Sequence, residues 1–209
     1  MVYGILGTLV YLKVQLLIQV RMKKILPCFI SMITMLAMTE SCSTPAKMYY
    51  RSDISKTYTG QLDDSVYNAV KQYLVNTTGQ TLKDTILIKY DYNNETCWDN
   101  LDQKEDEHIM GFVTRHQQRI QYVRATRPHV SVFDFREPGK RLNKIKKFDQ
   151  SIIIDSSKQL FNLLFKERCT CGSSIMIMPD KRFVFLRSDS HSEILAMTQE
   201  QVEEILNKK

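Results

Sequence analysis

Five cysteines punctuate the chain, and three of them, Cys97, Cys169 and Cys171, fall where a sulfur could react. Cys97 follows Asn93-Asn94-Glu95-Thr96, which has turn and cap chemistry, and precedes a proline-free run to about Tyr122 with a single glycine. That pattern predicts a long helix opening near Cys97. A helix N-terminus lowers a thiol's pKa, so Cys97 is a candidate nucleophile toward disulfides. Cys169-Thr170-Cys171 supplies two further sulfurs, either of which could resolve a mixed disulfide on Cys97. In an oxidising compartment the same three residues could instead form one structural bridge and leave one buried thiol. Both readings stand at this stage, while a ring closed between Cys169 and Cys171 alone would be strained.

Other chemistry-bearing residues are less pointed. His108 and His116 lie in the long helical run among Lys104, Glu105, Asp106 and Glu107, the composition of a solvated helix face. No cysteine or histidine pair has zinc-ligand spacing, so neither a metal nor a cofactor is expected. His191 stands in Ser188-Asp189-Ser190-His191-Ser192, where a hydrolase reading is tempting, but nearness in sequence does not make a catalytic triad. That stretch reads as a loop.

The N-terminal region sets the compartment. Met22-Lys23-Lys24 opens an apolar run through Met38 that ends at Ser41-Cys42. A short basic start, an apolar core and a small residue before the break are the requirements of an export signal. With a cysteine right after the break, residues 22–41 resemble a bacterial lipoprotein signal, although Thr39 and Glu40 depart from its usual small and aliphatic residues. The resemblance implies lipid on Cys42, a membrane-anchored domain in the cell envelope facing the periplasm, and a protein partner there. Residues 1–21 are apolar too; they read either as a misassigned upstream extension, the favoured account, or as a second membrane segment.

Charge argues against a nucleic-acid partner. The chain holds 29 basic and 23 acidic residues; residues 1–41 contain four of the former and one of the latter, so the net charge falls from +6 to +3 without them. That excess is small and scattered. Its densest part, Lys140-Arg141 with Lys144, Lys146 and Lys147, reads as a solvated helix face. Residues 42–60 are polar and lack apolar periodicity, the pattern of a flexible tether. Residues 61–209 are one domain's worth of chain.

Within that domain Leu62, Val66, Tyr67, Val70, Tyr73 and Leu74 recur at helical spacing between Asp63 and Gly79. Thr85–Tyr90 is β-branched and aromatic, a buried strand. Val130–Phe135 alternates as a second strand, a basic helix runs to Phe148, and Ile152–Ile154 is a third strand. A short helix over Leu160–Phe165 follows, then two strands, Ile175–Met178 and Phe183–Leu186, around the turn Pro179-Asp180-Lys181-Arg182. Thr198 caps a last helix. Alternating strands and helices predict an α/β fold with right-handed crossovers and a sheet covered on both faces.

This order is similar to the thioredoxin-like fold over roughly Thr85 to Leu206: a central mixed sheet, helices on both faces, and a C-terminal hairpin plus helix. In that family a Cys-x-x-Cys motif follows the first central strand, where this chain has Cys97-Trp98-Asp99-Asn100. Asn100 replaces the second cysteine, and Cys171-Gly172-Ser173-Ser174 occupies the loop where the family has a cis-proline. The resemblance implies that Cys97 and the Cys169/Cys171 loop are neighbours and that a bridge between them is the first to seek. It implies thiol-disulfide exchange through Cys97 or, since the motif is degenerate, a non-catalytic binding or assembly module of the envelope.

Overall fold

The computed structural model describes residues 57–93, 101–139 and 143–208. Residues 1–56 lie outside that range, so the export signal and Cys42 do too. So does Cys97.

Six strands make one mixed sheet in the order β1-β6-β5-β2-β3-β4. β2 (Thr85–Asp91) and β3 (Val130–Arg136) are buried along their whole length, as their β-branched and aromatic composition requires. They pair in parallel, Thr85 opposite Val130 through Asp91 opposite Arg136. β4 (Ile153–Ile154) extends the parallel side. On the other flank β5 (Gly172–Ile177) runs antiparallel to β2, and the hairpin to β6 (Arg182–Arg187) follows as expected. The fold is therefore α/β, with a six-stranded mixed sheet and five helices among the described residues.

β1 (Thr57–Gln61) corrects the tether reading for the residues it spans. It pairs antiparallel with β6, Thr57 opposite Leu186 through Gln61 opposite Arg182. Every residue in it is exposed, so backbone pairing rather than apolar burial holds it there, and hydrophobic periodicity had no signal to give. Gly60 sits on the Phe183 ring, where an added Cβ would come within 2.9 Å. The Arg187 guanidinium lies over the Tyr58 ring at 4.7 Å.

α1 (Asp64–Thr78) has the expected caps: the Asp63 carboxylate accepts the Val66 N–H, and Gly79 ends the helix at φ 66°. α2 (Asp106–Thr126) starts later than its composition suggested. A 3-10 turn at Leu101–Gln103 precedes it, and Asp106 and Glu107 occupy the first turn, where acids complement the helix dipole. Cys97 is nine residues ahead of this start, so the dipole argument for its reactivity does not apply to α2. α3 (Asn143–Phe148) and α4 (Gln159–Leu164) are short. Thr198 closes a capping box with Gln201 on α5 (Gln199–Asn207).

The two sheet faces differ. One packs Ile86, Ile88, Tyr90, Phe133 and Phe135 against Val70, Tyr73 and Leu74 of α1 and Leu160 of α4. The other packs Leu87, Val130, Val132, Met176 and Val184 against Ile120 and Val123 of α2 and Val202 of α5. Among the described residues no helix is long and apolar enough to cross a membrane.

Candidate functional site

The second face does not stay apolar. Because side chains alternate along a strand, Leu87, Lys89 and Asp91 of β2 share that face. So do Val132, Asp134 and Arg136 of β3, and Ser174 and Met176 of β5. Register sets Leu87 beside Val132 and Met176, then Lys89 beside Asp134 and Ser174, then Asp91 beside Arg136 and Gly172. Each strand thus passes from apolar to polar toward the same end, the carboxyl edge of β2 and β3. Crevices at this edge of α/β sheets are where such folds bind ligands.

The polar groups form one connected chain. Lys89 Nζ lies 2.5 Å from Asp91 Oδ2 and 3.5 Å from Asp134 Oδ1. Arg136 Nη2 donates to Asp91 Oδ2 at 3.3 Å. His116 Nε2 of α2 meets Asp134 Oδ2 at 2.6 Å. His191, on the 3-10 turn Asp189–Leu195, places Nε2 3.4 Å from Asp91 Oδ1 and Nδ1 2.8 Å from Ser174 Oγ. Lys89, Asp91, Asp134 and Arg136 are buried, and the His116 side chain, 13% exposed, is the chain's solvent end.

Burial and charge set the protonation states. Burial disfavours the imidazolium of His191 and lowers its pKa to about 4; Asp91 opposes this and Lys89 reinforces it. The neutral ring then accepts the Ser174 O–H at Nδ1 and turns its Nε2–H toward Asp91. Burial alone would raise Asp91 and Asp134, but Lys89 together with Arg136 and a histidine, His191 for Asp91 and His116 for Asp134, outweighs it and both carboxyls sit below their ordinary value. The cluster is an internally balanced set of ions.

Two backbone features seat His191. Ser188, at φ 69° and ψ −155°, occupies a region that residues with a Cβ rarely enter. Its N–H donates to Gly172 O at 3.1 Å and to Cys169 Sγ at 3.2 Å, and its carbonyl accepts the His191 N–H at 3.0 Å. At Gly172 a Cβ would stand 2.5 Å from the Tyr90 carbonyl and 2.6 Å from His191 Cε1. Gly172→Ala should therefore displace His191 and destabilise the domain by about 2 kcal/mol. A thermal melt with a histidine NMR spectrum checks this; an unmoved His191 resonance would show that the ring does not depend on that contact.

Cys169 is the free cysteine among the described residues; it is buried, and its thiol donates to Gly172 O at 2.6 Å. Cys171 is buried and is not a free thiol, and its carbonyl accepts the Tyr92 N–H at 3.0 Å, tying it to the end of β2. Cys97, the partner expected for this loop, lies outside the described residues. His108 is exposed as expected, but His116 is not on a solvated face: it turns inward to Asp134. His191 is not on an exposed loop either. It does meet a serine and an aspartate, Ser174 and Asp91 rather than its sequence neighbours, yet Ser174 is 0% exposed, so the trio is sealed from any substrate. Sealing rather than geometry decides against a hydrolase.

Lys89, Asp91, Asp134, Arg136 and Ser174 were missed by sequence reasoning. The available signal was a charge at alternate positions late in two otherwise apolar strands, Ile88-Lys89-Tyr90-Asp91 and Phe133-Asp134-Phe135-Arg136. Among the described residues no group of three or more histidine, cysteine and acidic side chains could hold a metal. Comparison with protein-family models, curated proteins and solved structures finds no match.

Proposed function

We propose that this is an exported, lipid-anchored domain of thioredoxin-like architecture that exchanges thiols and disulfides with an envelope protein through Cys97 and Cys171. The observation that carries this reading is the 3.0 Å hydrogen bond from Tyr92 N–H to Cys171 O. It ties Cys171 to the strand whose chain reaches Cys97 five residues later, a span of at most about 18 Å. The strand order β3-β2-β5-β6, parallel then antiparallel, supports the architecture. Lipid on Cys42 supplies the anchor.

The chemistry balances as a two-electron exchange. The Cys97 thiolate attacks a substrate disulfide; its S–S bond breaks, a mixed disulfide forms, and the departing substrate thiolate takes a proton. The Cys171 thiolate then attacks the Cys97 sulfur, releases the second substrate thiol and leaves a Cys97–Cys171 bridge. The substrate is reduced and the domain oxidised. Cys169 has no part in this, being sealed and hydrogen bonded in the core.

Mass spectrometry of the full-length protein under non-reducing conditions should find lipid on Cys42 and a Cys97–Cys171 bridge. Cys171→Ser should trap a mixed disulfide on Cys97, and Cys97→Ser should abolish trapping. A bridge that resists physiological dithiols, with Cys97→Ser leaving the cell's phenotype unchanged, would replace this account with the second reading, a non-catalytic envelope module. That alternative draws on the mutual pairing of the buried ions Lys89, Asp91, Asp134 and Arg136, which suits a structural role as well as a chemical one.

A further inference from the structure

At the opposite edge of the same sheet face the apolar layer does not close. A cavity of about 270 Å³ opens between the end of α2 and the start of α5, where β2 and β3 begin. Its floor is Val130, Met176, Met178 and Val202, all buried, and Met197 forms a wall. Thioether side chains adapt to the shape of an apolar guest. At the rim stand Arg127, His129 and Asp84.

Arg127 is the informative residue. It caps α2, is half-buried, and among the described residues its guanidinium has no ion-pair or hydrogen-bond partner. Elsewhere on this domain half-buried arginines are paired: Arg168 with Glu137, Arg182 with Asp180, Arg187 with Glu167. Asp84 shares the rim without forming an ion pair with Arg127. A partly desolvated cation beside a methionine-lined hollow is complementary to an anion carrying an apolar body.

We propose that this cavity binds a compact amphiphilic carboxylate, its head on Arg127 and its apolar body on Met176, Met178 and Met197. The site is independent of the cysteines and stands or falls separately from the thiol reading. It lies at the other end of β2 from Asp91.

The test uses the full chain in uncharged phosphatidylcholine nanodiscs with 13C-methyl-labelled methionine. Titration with 4-phenylbutyrate should give saturable shifts of the Met176, Met178 and Met197 methyls. The alcohol and amine of the same skeleton, 4-phenylbutanol and 4-phenylbutylamine, should bind about tenfold more weakly, and Arg127→Gln should weaken the acid by a similar factor. Absence of shifts would overturn the proposal. Equal binding of acid and alcohol, tighter binding of the amine, or an unaffected Arg127→Gln variant would each overturn it too, by showing that Arg127 does not select the head.

Discussion

Replacing Lys89 with methionine should destabilise the domain by about 3–5 kcal/mol at pH 7, the largest single-residue effect expected here. The stem of Lys89 is buried and methionine fills a similar volume, so the loss is electrostatic. Lys89 Nζ bridges Asp91 at 2.5 Å and Asp134 at 3.5 Å, and its removal leaves two buried carboxylates facing each other. Taking one partner from a buried ion pair leaves an uncompensated charge in low dielectric, and that is what costs several kcal/mol. Arg136 and His116 remain as partial partners, which keeps the loss from being larger. The double change Lys89→Met with Asp91→Leu should recover part of it, since the facing carboxylates are relieved while Arg136 loses its contact with Asp91. Urea denaturation measures both. By contrast Lys147→Ala, which breaks the exposed pair with Asp106, should leave the midpoint nearly unmoved. If Lys89→Met proves equally silent, the cluster is not the electrostatic keystone of this edge.

The second large effect is a loss of stability in mild acid. His191 takes up a proton near pH 4 in the folded domain and near pH 6.5 when unfolded. Above pH 6.5 the ring is neutral in both states and its contribution is complete. As the pH falls from 6.5 to about 4, the unfolded chain binds a proton that the folded one refuses, so stability declines by about 3 kcal/mol across that window. Asp91 and Asp134, both held below their ordinary values, add the next stage: their stabilisation is present above about pH 4 and is lost as the pH drops further. Denaturation midpoints taken between pH 7 and 4 should slope accordingly. His191→Gln keeps a hydrogen-bonding group toward Ser174 but cannot titrate, and its profile should be flat over the same range. A wild-type profile already flat there would mean that His191 is not held neutral by its surroundings.

Much of the scaffold was legible in the chain. Alternation and β-branching placed β2, β3 and the β5–β6 hairpin, and the caps Asp63, Gly79 and Thr198 bounded two helices, because these signals act over a few residues. β1 was not legible: its five exposed residues bury nothing, and the partner that holds them is 125 residues away at β6. The start of α2 was misplaced because a proline-free stretch permits a helix without requiring one, and the acidic pair Asp106-Glu107 marks where the dipole is complemented.

The sequence by itself determined the α/β class and the order of the strands and α-helices that follow β1, since propensity and capping are local properties. Only the tertiary structure decided that Lys89, Asp91, Asp134, His116, His191 and Ser174 form one connected site. They come from five separate segments of the chain, with Lys89 and Asp91 sharing β2, and the register of three strands under two helical segments brings them together. A charge buried in a strand is costly alone and tolerable beside its opposite, and that pairing exists only once the sheet is assembled.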